Sequence, residues 1–354
     1  MTINDETLRL QAERLVTLGG FVDDTTRVLV RTWVATWDII ATDLQAGLEV
    51  AAAQLAAGQR LTWRQVNDVD RAAAALDSAA AALDDLAGAG RIQTTNSVGD
   101  VVSVAAQFSP QVLASQMPQG TQVAAAQLIS GRMAGGAFDQ IVERSIARIV
   151  SAMQPLSSEA QAAMRRELIR GVAQGTNPNV TARRMLSRLE AAFNGGLTRA
   201  VRIARTEQLD AYRAANGTVA AANRDVVSGW RWVAALDGRT CPACLAMHGT
   251  EFPADEFGPS GHPNCRCDRV DVAVPWRNLG FDIAEPADVL PDARSWFAGQ
   301  PDEVQRQMLG PGRLGVLKSG RIGWDDMARR RSNDGWRDSV EVVPLQDLGV
   351  EVAA

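Results

Sequence analysis

Residues 227–273 read VSGWRWVAALDGRTCPACLAMHGTEFPADEFGPSGHPNCRCDRVDVA, and the fold turns on how this stretch is read. It opens on an alternation, Val227 to Val233, that puts Trp230 and Trp232 on one face and Arg231 on the other, the period of a half-buried strand. It closes on a second alternation from Arg266 to Val272. Between them lies a loop rich in cysteine, glycine and proline. The pattern predicts a small β-unit closed around a loop.

All four cysteines of the chain (Cys241, Cys244, Cys265, Cys267) and both histidines (His248, His262) fall inside this window. The first pair is a Cys-x2-Cys, whose two thiolates can wrap one ion with backbone amides supporting the sulfurs. About twenty residues later His262, Cys265 and Cys267 offer the remaining places. A structural zinc ion takes four tetrahedral ligands, and a filled set of cysteines and histidine leaves no open position for chemistry. The reading is one structural zinc held by Cys241, Cys244, His262 and Cys267, with Cys265 exchangeable for either of the last two. His248 follows Cys244 too closely to be a favoured ligand and is expected to orient the loop. A cytoplasmic origin disfavours disulfides, and no βαβ context supports a redox Cys-x2-Cys. So small a β-unit buries little apolar surface, and metal binding would supply folding free energy on the order of 10 kcal/mol.

Outward from the module the chain reads as helix. Residues 21–58 carry Val28, Trp33, Ile40, Leu44 and Leu48 at roughly helical spacing. A second helix is expected from the capping box at Thr62–Gln65, through Leu76 and Leu83, to the glycines at 88 and 90. Ser109-Pro110, Pro118-Gln119-Gly120 and Gly135-Gly136 predict short helices and loops over 91–135. Helices are then expected at 137–153, at 157–175, from Asn179, and at 197–223. Beyond Pro275 the sequence predicts short helices, one ending at Leu309-Gly310-Pro311-Gly312 and another over Trp324–Arg330, with a short strand at Val340–Val343. The fold class is therefore mainly α: a long helical N-terminal region, a small α+β zinc-stabilised module, and a short helical C-terminal tail. The expected division is 1–135 as a helical arm with an αα-hairpin, 136–275 as the domain carrying the Cys/His module at 229–273, and 276–354 as the tail.

Composition narrows the function classes. Apolar residues make up 46% of the 354, enough to bury a core. The net charge of −5 does not indicate DNA contact as the main work, since such proteins carry a basic patch and a high pI. Cations are almost all arginine, Lys318 being the one lysine. Residues 1–20 carry acids and arginines with no apolar core of a signal peptide, and no stretch is long and apolar enough to suggest a membrane span. The competing reading is a zinc-supported nucleic-acid-binding protein, with Arg231, Arg239, Arg266 and Arg269 on phosphates, or an HNH-type nuclease. Asp237, Asp268 and Asp271 offset those arginines, and a nuclease needs a catalytic histidine and a second cation site from a chain with two histidines. One tripeptide, Arg205-Thr206-Glu207, is too little for a transferase site. No enzyme is expected.

The same residues resemble the signature of the phage Mu F-like minor head protein (head morphogenesis) family. That signature is carried here by Arg205-Thr206-Glu207, by Trp230 and Trp232, by Asp237-Gly238-Arg239-Thr240, by His248-Gly249 and by Asn264-Cys265-Arg266-Cys267. Trp296 to Pro301, Gln307 to Gly310, Arg313 and Ser319 to Ile322 continue the likeness. The resemblance implies a minor capsid component, made in the host cytoplasm and built into the virion at the portal vertex during procapsid assembly. It would act in DNA packaging or delivery, with the portal protein, and the major capsid or scaffolding protein, as partners.

Overall fold

The structure is a computed structural model that describes residues 2–56, 70–133, 136–153, 178–332 and 338–349. Helix α1 spans Asp5–Ala56. It begins well before the expected residue 21 because Asn4 caps it: the Thr7 amide donates to Asn4 Oδ1 at 2.9 Å, and Asp5 and Glu6 occupy the first turn. Helix α2 spans Asp70–Ala114 and runs straight through the glycines at 88 and 90 and through Pro110, where the sequence had predicted an end and then loops. Each glycine costs about 1 kcal/mol in a helix interior and the proline about 3. Burial of Val98, Val101, Val102, Ala105, Val112 and Leu113 outweighs them. The capping box at 62–65 and the helix expected at 157–175 lie outside the described residues.

A turn over Pro118–Gly120 leads to α3, Gln122–Gly131, and α4 follows at Ala137–Met153. The helices expected from 179 and from 197 are one, α5, Pro178–Ala222. After these come β1 (Val227–Val233), α6 (Pro242–Met247), β2 (Glu251–Pro253) and β3 (Asp268–Ala273). Then follow α7 (Ala293–Ala298), α8 (Asp302–Lys318), β4 (Ala328–Arg331) and β5 (Ser339–Val342). The break expected at Leu309–Gly312 is a kink within α8, where Gly310 has φ 74°. The helix expected at Trp324–Arg330 is instead a 3-10 turn, Asp325–Met327, leading into β4. Antiparallel pairing overrides helical propensity there: Arg329 faces Glu341 across the ladder and Arg331 faces Ser339.

The chain divides into two compact units, each assembled from separated stretches. One comprises Phe21–Val98 and Glu143–Gln208, the other Met1–Gly20, Gly99–Val142 and Leu209–Ala354. The first is helical among the described residues. It buries Val22, Leu29, Trp33, Leu86, Val98, Ile149 and Ala204, and Gln208 donates to Thr25 Oγ1 at 2.9 Å and Ser97 Oγ at 2.6 Å.

The second unit holds both sheets. Strand β1 is central, antiparallel to β2 and β3, and Ser228 makes a bulge between Val227 and Gly229. Gly229 is a glycine for a steric reason, since a Cβ there would stand 2.6 Å from the carbonyl oxygen of Phe252. Trp230 and Trp232 are both 1% exposed, as the alternation predicts, and Trp230 stacks on Phe252 at 4.2 Å. On the other side Val233 and Val270 pack with Ile3 and Leu10 and with Val112 of α2. Asp268 is buried and accepts from Gln11 (2.6 Å), Arg14 (2.8 Å) and Tyr212 (2.8 Å). Strand β3 is thereby tied to α1 and α5. Mainly α describes the molecule, and none of its described helices is long and apolar enough to cross a membrane.

Candidate metal centre

The first arm of the centre leaves β1 through a turn built by Asp237. Its Oδ1 accepts the Arg239 amide at 2.9 Å, its own amide donates to Thr240 Oγ1 at 3.1 Å, and the Thr240 amide donates to the Asp237 carbonyl at 2.9 Å. The turn delivers Cys241 as the N-cap of α6, with Pro242 in the first turn and the Cys244 amide donating to Cys241 Sγ at 3.3 Å. The Cys-x2-Cys spacing is thus the spacing of a helix cap.

The second arm returns through Gly261-His262-Pro263-Asn264-Cys265-Arg266-Cys267. The Cys265 amide donates to the His262 carbonyl at 3.0 Å, and Asn264 takes φ 63°, a conformation asparagine tolerates. A Cβ on Gly261 would lie 2.4 Å from Cys265 Sγ, so only glycine lets the arm close. Two further groups hold it. Arg266 forms a two-pronged ion pair with Asp237, 2.6 Å on each prong, joining the arms. Arg213 of α5, 1% exposed, donates to the Cys265 carbonyl and, at 2.8 Å, to that of Cys267.

The five candidate donors meet as two triads, Cys241–Cys244–His262 and Cys244–Cys265–Cys267, in each of which the ligand atoms lie within 4.8 Å of one another. Cys244 is common to both. His262 Nε2 stands 3.1 Å from Cys241 Sγ and 3.6 Å from Cys244 Sγ, and Cys244 Sγ stands 3.7 Å from Cys265 Sγ. Zinc–sulfur and zinc–nitrogen bonds of about 2.3 and 2.0 Å set tetrahedral edges of roughly 3.8 Å between sulfurs and roughly 3.5 Å between sulfur and nitrogen. Two of the three separations match those edges. The third is a direct hydrogen bond that an ion would stretch by a few tenths of an ångström. His262 Nδ1 donates to the Pro263 carbonyl at 2.8 Å, which aims Nε2 at the thiols, the arrangement metal-binding histidines favour. The donor set therefore fits a soft or borderline dication of Cys3His type. Cys265 suits the fourth corner as readily as Cys267.

Ionisation follows the same contacts. The hydrogen bond with Cys244, with support from His262, holds Cys241 down at about 5, and the hydrogen bond with Cys241 raises His262 to about 9. Hydrogen bonds with Cys244 and Cys267, with Arg213 and His262 adding their charges, hold Cys265 far below an ordinary thiol. Cys244 is pushed up by its hydrogen bond with Cys241, and Cys267 by burial. A dication taking these sulfurs as thiolates would displace the protons they carry. All four cysteines are free thiols.

Other residues singled out by sequence stand elsewhere. His248 accepts the Ala234 amide on Nδ1 at 3.0 Å and donates from Nε2 to the Pro291 carbonyl at 2.9 Å, pinning the end of β1 to the loop before α7. Arg205 pairs with Asp23 at 3.0 Å and Glu207 with Arg148 at 3.9 Å. Arg231 pairs with Glu251 and Asp288. Arg269 is buried against Asp271, its guanidinium 5.1 Å from the Trp230 ring centroid. Arg213 and Gly261 had not been foreseen. The one available signal for Arg213 was a charge on the otherwise buried face Leu209–Tyr212–Asn216–Ala220.

Residues 162–270, a stretch that includes all five donors, match the family model described as Phage Mu protein F like protein. No curated protein and no solved structure matches the chain.

Proposed function

We propose, from the match of residues 162–270 to the family model described as Phage Mu protein F like protein, that the chain is a structural component of the phage head that acts in head morphogenesis, its Cys/His module stapled by one zinc ion. The observation that carries the metal reading is the donor geometry, with soft ligands on two arms meeting at tetrahedral separations around Cys244. Four protein ligands close the coordination sphere, which suits a structural ion and leaves no place for a reacting water. Both histidines are engaged, one among the donors and one between two backbone groups. The arginines that could have met phosphates are largely engaged with carboxylates. We place the protein in the virion at the portal vertex, with the portal protein as partner and a role in packaging or delivering DNA, on the strength of the family alone.

Elemental analysis of the purified chain should find about one zinc per chain. Cys241→Ser and Cys267→Ser should lower both metal content and thermal stability without revealing nuclease activity. Protein purified under reducing, chelator-free conditions with no metal would sink the staple. For the head role, particles assembled with and without the chain would be compared. Its absence from purified heads, with particle yield unchanged, would overturn that assignment.

A further inference from the structure

His248 is the titratable group that the metal reading leaves unused, and its ring is held at both nitrogens. Nδ1 accepts the Ala234 amide at 3.0 Å, and Nε2 stands 2.9 Å from the Pro291 carbonyl oxygen. A carbonyl can only accept, so Nε2 carries the ring hydrogen and Nδ1 is bare. Geometry alone therefore requires a neutral ring. Around it the backbone closes a neck. The Gly249 amide donates to the Trp232 carbonyl at 2.8 Å, and the Trp232 amide donates to the Thr250 carbonyl at 3.0 Å. Gly249 has φ 82°, which turns the chain back after α6 so that residues 248–250 meet the end of β1. The enclosed loop, 235–247, carries Cys241 and Cys244. Three hydrogen bonds thus close the base of the first cysteine arm, and the one from Ala234 ends on a titratable atom.

Protonation of Nδ1 would set two N–H donors face to face. Ala234 is 4% exposed, so its amide has little water to turn to. The other side of the ring responds in the opposite sense. The hydrogen bond from Nε2 to Pro291 strengthens once the imidazole is charged, and Asp292, the next residue, favours that charge. The segment around Pro291 is itself held, Asp288 by Arg231 and the Val289 amide by the Ile3 carbonyl at 2.9 Å. The remaining charged groups on the surrounding elements are paired: Arg231 of β1 with Glu251 and Asp288, and Arg294 of α7 with Asp325, while α6 contains none. A charged ring therefore leaves Ala234 and stays with Pro291. We infer that His248 is a proton-operated clasp on the first cysteine arm, closed at Ala234 while the ring is neutral and opened there when Nδ1 takes a proton. Burial holds the ring below its ordinary 6.5, against the Pro291 hydrogen bond and the charge of Asp292. A histidine whose folded value lies below its unfolded one stabilises the fold fully above about pH 6.5 and loses that contribution as pH falls through the folded value. The clasp accordingly works on the acid side of neutrality. It involves no metal ligand, so it stands or falls apart from the metal reading.

The test uses the full chain, its histidine rings labelled with nitrogen-15, titrated by NMR from about pH 8 to about pH 5. His248→Gln assigns the ring signals, and its side chain can accept from Ala234 and donate to Pro291 without titrating. At neutral pH the His248 ring of the unaltered chain should show a bare Nδ1 and a protonated Nε2. Hydrogen exchange of the peptide spanning Ala234, corrected for the intrinsic effect of pH, should quicken as Nδ1 is protonated. The expected step is about three- to tenfold, the range that one lost hydrogen bond commands. In His248→Gln that acid-induced step should be absent. A hydrogen on Nδ1 at neutral pH overturns the inference without any variant. So does a ring that titrates while exchange around Ala234 holds steady, or an equal step in His248→Gln.

Discussion

Asp237 shapes the turn before the first cysteine and grips Arg266 between the last two. The Arg266 hydrogen bonds hold its carboxyl down at about 2, from an ordinary 3.8. A carboxyl whose folded value lies below its unfolded one stabilises the protein above the unfolded value and loses that contribution as pH falls through the folded one. The contribution is therefore complete above about pH 4 and disappears towards about pH 2. With chelator present throughout, the stability difference between the unaltered chain and Asp237→Asn should hold steady above that window and shrink within it. A difference that stays flat down to pH 2 would mean the ion pair does not contribute. That the four cysteines meet in one cluster was legible, because their two pairs flank a short loop between strands that the alternation had already drawn together. Arg213 was not, because what it does depends on backbone carbonyls of Cys265 and Cys267, distant from it in sequence.

Helix α2 shows where local rules lose to packing. Its glycines were read as ends, yet the helix continues because Val98, Val101 and Val102 have a core to enter. At Gly99 an added Cβ would meet nothing within 4 Å. Gly99→Ala should therefore raise stability by about 0.5–1 kcal/mol in urea unfolding; a fall would mean that the position is held open for another reason. Elements with a strong period were legible: α4 falls at 137–153 as expected, and β1 presents its tryptophans to one side. The 3-10 turn and strand at 325–331 were not, because the helical reading of Trp324–Arg330 could be displaced only by a partner, β5, whose register no local window contains.

At the scale of the molecule, both compact units are discontinuous in sequence, so a reading that moves along the chain had no means of drawing them. One consequence can be measured. Residues 2–20 belong with the Cys/His module, since Gln11 and Arg14 reach Asp268 in β3, and Ile3 and Leu10 pack on Val233 and Val270. Deleting residues 2–20 should lower metal affinity and weaken the near-ultraviolet signal of Trp230 and Trp232. Unchanged values for both would show that the buried pair carries no weight. Arg14 and Asp268 are 254 residues apart. At a synthesis rate of about 5–20 residues per second, the arginine waits roughly 13–50 s for the carboxylate that allows it to leave water. Throughout that interval Val233 and Val270 are missing from the apolar flank of the first helix, so the nascent chain passes through a period of partial exposure set by the ribosome's pace.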